Sequence, residues 1–221
     1  MGNIYEEQIK NLPLKLERGF DNYNPIIING EVYKDSHRRI LSEQYKRLDF
    51  IDYNNKRVLD VGCYNGYLAY EAIKRGALSY IGVDSNSESD GLEKVLDMAK
   101  IVKESNNLKN VSFIEGWCAD LPNLVNIEDF DVVTVLSIMP ANNLLDVLLK
   151  GSDDISWYKF IKDKVVYIEP VNHGIVNDLP FTQNEWLKKI EIASNKNDIN
   201  IEFLTFTDYQ NRPLIKLTNI K

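Results

Sequence analysis

Arg57-Val58-Leu59-Asp60-Val61-Gly62-Cys63-Tyr64-Asn65-Gly66 is the stretch on which the fold turns. A nearly continuous apolar run from Arg57 to Val61 closes in Asp60-Val61-Gly62, bends through Asn65-Gly66, and enters an amphipathic stretch from Tyr67 to Arg75 that Gly76 stops. Strand, glycine loop and helix in that order form a nucleotide-type junction, because glycines let the backbone come close to a ligand at the helix start. A dinucleotide fingerprint needs glycines where Tyr64 and Tyr67 stand, and a P-loop needs Gly-Lys-Ser/Thr after the loop. Both are missing. Asp60 repels a phosphate but suits a cationic amine, so the residues point to a nucleoside without a pyrophosphate.

Working outward, short apolar runs alternate with amphipathic ones. Candidate strands are Tyr80 to Val83, Val111 to Glu115, Asp131 to Leu136 and Lys164 to Glu169, each rich in Val, Ile and Leu as strands covered on both faces are. Between them the pattern predicts helices over Gly91 to Glu104, Asn143 to Leu149 and Trp186 to Ala193. At the end, Ile201 to Phe206 and Leu214 to Thr218 flank a polar, Pro-containing segment and predict an antiparallel hairpin. The expected fold class is α/β: a mostly parallel seven-stranded sheet with helices on both faces and a C-terminal hairpin.

Upstream, Asn29-Gly30 between two apolar runs signals a tight hairpin, and Ser36 is the N-cap candidate for a helix through about Leu48. Residues 1 to 55 are therefore expected to form an extension or lid of hairpin and helices, and residues 56 to 221 the main domain.

The chain has 221 residues, 44% hydrophobic and 27% charged, which suits one sizeable core with an appendage. Its formal net charge of −7 disfavours nucleic acid as a partner, since the mean field repels a polyanion. The two cysteines, Cys63 and Cys118, lack metal-ligand spacing, so no metal is expected. With no basic-then-apolar leader and no apolar run of about 20 residues, the expectation is a cytoplasmic protein without a membrane partner.

Asp84 ends the second strand, Tyr80-Ile81-Gly82-Val83-Asp84, about 20 residues beyond the glycine loop, where an acidic side chain accepts hydrogen bonds from ribose hydroxyls. V-L-D-V-G-C-Y-N-G-Y followed by Y-I-G-V-D resembles the first two motifs of the class I, Rossmann-like, S-adenosylmethionine-dependent methyltransferases. V-S-F-I-E-G-W-C-A-D-L-P and F-D-V-V-T-V-L-S-I-M resemble that family's third and fourth strand regions, so the likeness runs over roughly residues 56 to 170.

The resemblance implies S-adenosyl-L-methionine as cofactor. It implies Gly62, Cys63, Tyr64, Asn65 and Gly66 against the methionine part, Asp60 near its amino group, and Asp84 with Ser85 at the ribose. Trp117, Cys118 and Leu136 would border the adenine and the cleft. Two departures stand out: Tyr64 replaces the usual middle glycine, and Trp117 replaces the acidic residue often found near the adenine amino group, leaving Asp120 as a substitute.

The bland alternatives stay beside these. Cys63 fills a turn or is a thiol activated at a helix start; Trp117 and Cys118 are core or adenine contacts. His173 and Glu169, just beyond and at the end of the fifth strand, are candidate general bases or, for His173, a solvated loop residue. The basic group Lys34, His37, Arg38, Arg39, Lys46 and Arg47 is a solvated face or an anion-recognition surface. Tyr33, Arg38, Arg39 and Ser137 are the candidate acceptor contacts, with Tyr23, Tyr33 and Tyr64 in a lid. The expected activity is methyl transfer to an oxygen or nitrogen of a small polar acceptor, a sugar or a phosphorylated or carboxylated metabolite. The rivals are a tRNA or rRNA methyltransferase and a non-catalytic cofactor-binding protein of the same fold.

Overall fold

The computed structural model describes residues 4–12, 24–36, 41–85, 94–136, 161, 163–171, 181–196, 199–207 and 212–218, without the side chains of 42–44 and 195–196. The elements are α1 (Ile4–Lys10), β1 (Ile26–Ile28), β2 (Glu31–Lys34), α2 (Leu41–Leu48), β3 (Arg57–Val61), α3 (Tyr67–Lys74), β4 (Ser79–Asp84), α4 (Val95–Ser105), β5 (Val111–Glu115), α5 (Leu121–Leu124), β6 (Val132–Leu136), β7 (Val165–Glu169), α6 (Gln183–Lys196), β8 (Asn200–Phe206) and β9 (Pro213–Thr218). Seven strands form one sheet in the order β5-β4-β3-β6-β7-β9-β8, in which β9 alone runs opposite to the other six. The order reverses between β3 and β6, which opens a crevice at the carboxyl end of β3.

Alternation along the strands sorts the side chains into two layers. Leu59, Val61, Val133, Val135, Val166 and Ile168 face Trp186, Ile190 and Ala193 of α6. Val58, Tyr80, Val132, Leu136 and Tyr167 face Leu48 of α2 and Tyr67, Leu68 and Ala72 of α3. Trp186 is 1% exposed with Phe181 edge-on at 5.1 Å, so truncating it to Ala should cost ~3–5 kcal/mol.

The Asn29-Gly30 signal forms as expected: both residues are left-handed, at φ 53° and 81°, and Ile28 pairs with Glu31 across the turn. All three residues of β1 are buried, because Ile26 and Ile28 pack on Met98 and Val102 of α4 while Ile27 reaches the α2–α3 layer. Asn106, just past α4, completes the dock: its Nδ2 donates to the Ile27 carbonyl at 2.8 Å and its Oδ1 accepts from the Gly30 amide at 2.7 Å.

Some boundaries move. The expected helix from Gly91 is seen from Val95, preceded by Lys94 at φ 64°; the helix expected after the N-cap candidate Ser36 is described over Leu41–Leu48, residues 37–40 lying outside the described residues. The α6 helix starts earlier than Trp186 because Thr182 and Glu185 cap it reciprocally: the Thr182 amide donates to Glu185 Oε2 at 2.7 Å and the Glu185 amide to Thr182 Oγ1 at 3.3 Å. The C-terminal hairpin forms, with β9 inserted beside β7 and β8 left at the edge. The helix expected over 143–149 lies outside the described residues, as do Tyr23, His37, Arg38, Arg39, Ser137 and His173.

Candidate functional site

The glycine loop is held by the end of the next strand. The Gly62 and Cys63 amides both donate to the Val83 carbonyl, at 2.7 and 3.2 Å, and the Tyr64 amide donates to Asp84 Oδ2 at 2.9 Å. Three consecutive amides are thus committed within the protein, which leaves no cradle of the kind that grips a pyrophosphate. Gly62, Tyr64 and Gly66 all take positive φ, at 83°, 50° and 77°. Gly66 is also fixed by space, since a Cβ there would lie 2.9 Å from the Phe113 ring and 3.1 Å from Ala99.

Asp60 lies 1% exposed between two neighbouring strands, each contributing a hydroxyl. Thr134 Oγ1 donates to Asp60 Oδ1 at 2.6 Å, and Tyr80 Oη donates to Oδ2. Burial pushes the Asp60 carboxyl up to about 6, against the pull of the two hydroxyls and of the Arg47 charge. Asp84, also buried, ends β4 on the far side of the loop. Ser85 follows it, half-buried. The Cys63 thiol is fully buried where Gly82 has no side chain, and desolvation, then Asp84 and Asp60, push it well above the ordinary thiol range. It fills the turn and is not an activated nucleophile.

Several expected contacts have other tasks. Asn65 is fully buried; its Nδ2 donates to the Asn24 and Pro25 carbonyls, both at 3.1 Å, and its Oδ1 accepts from the Tyr67 amide at 3.3 Å. It latches the segment before β1 to the loop. Tyr33, expected at the acceptor, packs in the cluster of Ile9, Ile26, Ile28, Met98 and Val102. Trp117 is no core residue: it is 53% exposed past the end of β5, and Cys118, next in the chain, is half-buried. Leu136 is buried at the end of β6, opposite Glu169.

Glu169, expected as a candidate base, is buried against Arg47, with Nη1 to Oε2 at 2.7 Å and the two side chains 2% and 0% exposed. That pairing joins α2 to the end of β7 and engages Glu169 with a cation in the interior. Arg47, counted with a solvated basic face, is instead interior. Beside the pair, a cavity of about 430 Å³ is lined by Lys46, Arg47, Asp49, Phe50, Thr205, Phe206 and Thr207. Thr205 and Phe206 pair with Leu214 and Pro213, and Ile215 pairs with Ile168, so this cavity opens at the carboxyl end of the sheet, level with Glu169. Among the described residues no group of His, Cys, Asp and Glu is placed to hold a metal ion.

A family described as "Methyltransferase domain" matches residues 52–201. The chain belongs to the class I, S-adenosylmethionine-dependent methyltransferases. The ubiquinone biosynthesis O-methyltransferase of Neisseria meningitidis serogroup C is 38% identical over 99 residues, 42% of this chain and 38% of that protein. The tRNA U34 carboxymethyltransferase of Pseudomonas fluorescens is 31% identical over 120 residues, 47% of this chain and 32% of that one. The matched region thus spans well under half the length of these curated relatives. Among solved structures, the bifunctional kinase-methyltransferase WbdD superposes with a TM-score of 0.59 at 17% identity, covering 97% of this chain and 47% of its own. Magnesium protoporphyrin IX methyltransferase from Synechocystis PCC 6803, with bound SAM, gives 0.52 at 13% identity, covering 80% and 77%.

The residues of this methyltransferase fit its cofactor, S-adenosyl-L-methionine. A desolvated carboxylate at Asp60 gains from an ammonium group, Asp84 stands at the strand end suited to a ribose, and the loop between them offers close backbone without a phosphate cradle. Tyr80 and Thr134 belong to this constellation and are not singled out as site residues by the sequence, whereas Arg47 enters it from the basic group that the sequence marks. Tyr80 and Thr134 sit inside apolar strands where hydroxyls read as ordinary strand residues. The signal was the pleat: Thr134 pairs directly with Asp60, and Tyr80 is two residues before Gly82, the partner of Asp60 on the other side.

Proposed function

We propose that the protein transfers the methyl group of S-adenosylmethionine to an oxygen or nitrogen of a small polar acceptor, such as a sugar or a phosphorylated or carboxylated metabolite. The cofactor supplies an electrophilic methyl on a sulfonium. The chain's part is to hold that methyl and the acceptor in line and to exclude water. The observation that carries the proposal is the pair of buried carboxylates, Asp60 and Asp84, flanking a glycine loop whose first amides are committed to β4. On the acceptor side, the cavity beside the Arg47–Glu169 pair supports a polar molecule of modest size: it combines the charged side chains of Lys46 and Asp49, the hydroxyls Thr205 and Thr207, and the rings of Phe50 and Phe206. His173, which follows the fifth strand in sequence, takes the acceptor's proton, and His173→Ala is expected to lower kcat while sparing cofactor affinity.

Calorimetry with S-adenosylmethionine, followed by transfer of a labelled methyl group to fractions of a small-metabolite extract, tests this. Binding lost in Asp84→Ala and label in a small molecule are the expected results; no binding, or binding indifferent to Asp84→Ala, overturns it. Label in RNA would favour the tRNA reading that the relative from Pseudomonas fluorescens keeps open. Cofactor binding without transfer to any fraction would leave a non-catalytic binder.

A further inference from the structure

The Asp60 carboxylate is clamped from both sides of β3 by hydroxyls on different strands, Thr134 Oγ1 on Oδ1 at 2.6 Å and Tyr80 Oη on Oδ2. Each oxygen therefore has one fixed donor, and the plane of the carboxylate is set by two strands in register with it. The groups facing it are Arg47 from α2, Tyr53 from the link into β3, Cys63 in the loop, Tyr80 and Asp84 from β4, and Thr134 from β6. Within this set only Arg47 is cationic, and it is engaged with Glu169 at 2.7 Å. A carboxylate so buried stays anionic near neutral pH only with help from hydrogen-bond donors.

We propose that Tyr80 and Thr134 are positioning residues that keep Asp60 an oriented anion for the cofactor's ammonium group. Neither touches the cofactor; both act through Asp60. The proposal rests on the cofactor site described above and adds to it the two hydroxyls that decide over which pH range the site works. Burial alone drives the Asp60 carboxyl towards its neutral form, and the two hydroxyls oppose that drift. Removing one hydroxyl moves the proton onto Asp60 at higher pH, so the ammonium loses its counter-charge while the shape of the pocket is kept.

The test is isothermal titration of the full chain with S-adenosylhomocysteine, which carries the same ammonium group, from pH 5 to pH 8. In the wild type, affinity is expected to rise with a midpoint near 6, where burial places Asp60. Tyr80→Phe and Thr134→Val each remove a hydroxyl with little change of shape, and each should raise the midpoint by about one pH unit. That makes binding about threefold weaker at pH 6.5, with the curves converging by pH 8. Thr134→Ser, which keeps the donor, should restore the wild-type midpoint, and Asp60→Asn should flatten the profile.

A merely structural role predicts uniform weakening at every pH with an unmoved midpoint, and that result in both variants overturns the proposal. A wild type that binds S-adenosylhomocysteine at no pH instead overturns the cofactor site, and the clamp falls with it.

Discussion

Tyr64 holds a left-handed backbone, φ 50°, in a loop where Gly62 and Gly66 are also left-handed. A non-glycine residue there costs about 1 kcal/mol or more, and the Tyr64 amide bond to Asp84 is part of what holds the loop in place. Tyr64→Gly should therefore be more stable than Tyr64→Ala by about 1 kcal/mol in urea unfolding. Equal stabilities would mean that the loop relaxes and the strain is absent. The sequence showed that the usual glycine was replaced, but not that the replacement keeps glycine's conformation. Asp60 carries a second residue-scale consequence, in the protein without cofactor. Its folded carboxyl is raised from 3.8 to about 6, so its contribution to stability is fully present below pH 3.8 and is lost as pH rises through 6. The loss amounts to about 3 kcal/mol by pH 7. Asp60→Asn should remove that slope, giving a flatter stability curve between pH 4 and pH 7 in denaturant titrations. Parallel curves for the two proteins would show that Asp60 is not desolvated.

At the scale of elements, the Arg47–Glu169 pair joins α2 to the end of β7 with both side chains interior. Removing one partner takes away the other's buried counter-charge: Arg47→Ala should cost about 3–5 kcal/mol, whereas replacing the pair by Arg47→Met with Glu169→Leu should recover most of it. Thermal unfolding of the three proteins checks this, and additive losses in the double variant would refute the buried pairing. The pair also shows where sequence reasoning stopped. Lys46 and Arg47 are adjacent on an amphipathic helix, and only packing shows that Arg47 turns inward while Lys46 stays exposed. Local signals did better when their chemistry closes within a few residues. Asn29-Gly30 predicted its hairpin, and Arg57 to Val61 and Val111 to Glu115 were legible as strands to the residue. The Thr182-Gln183-Asn184-Glu185 capping box is equally local, and it sets the start of α6 ahead of the apolar stripe that begins at Trp186.

At the scale of the whole molecule, alternation of strands and helices was enough for the fold class, because continuous apolar strands need cover on both faces. The insertion of β9 beside β7 was not legible, since it depends on which sheet edge remains open when the last hairpin forms. Nor was the docking of the N-terminal hairpin on α4, which rests on Asn106 and Asn65 bonding to backbone carbonyls distant in sequence. Net charge, by contrast, is a property of the chain alone, and it bears on the acceptor. At −7, the protein's mean field opposes a polyanion, and Arg47, which a basic face would have needed, is turned into the interior. An RNA-binding enzyme contacting 6–10 phosphates loses roughly 10³–10⁵ in affinity between 50 and 200 mM salt. A small acceptor with one or two charges, held in a partly enclosed cavity, is screened far less. The expected outcome is a kcat/KM for the acceptor that changes by less than about threefold over that range, measured with a saturating cofactor concentration. A fall of two orders of magnitude or more would mean that the acceptor is held by many phosphate contacts, and the small-molecule proposal would give way to the RNA one.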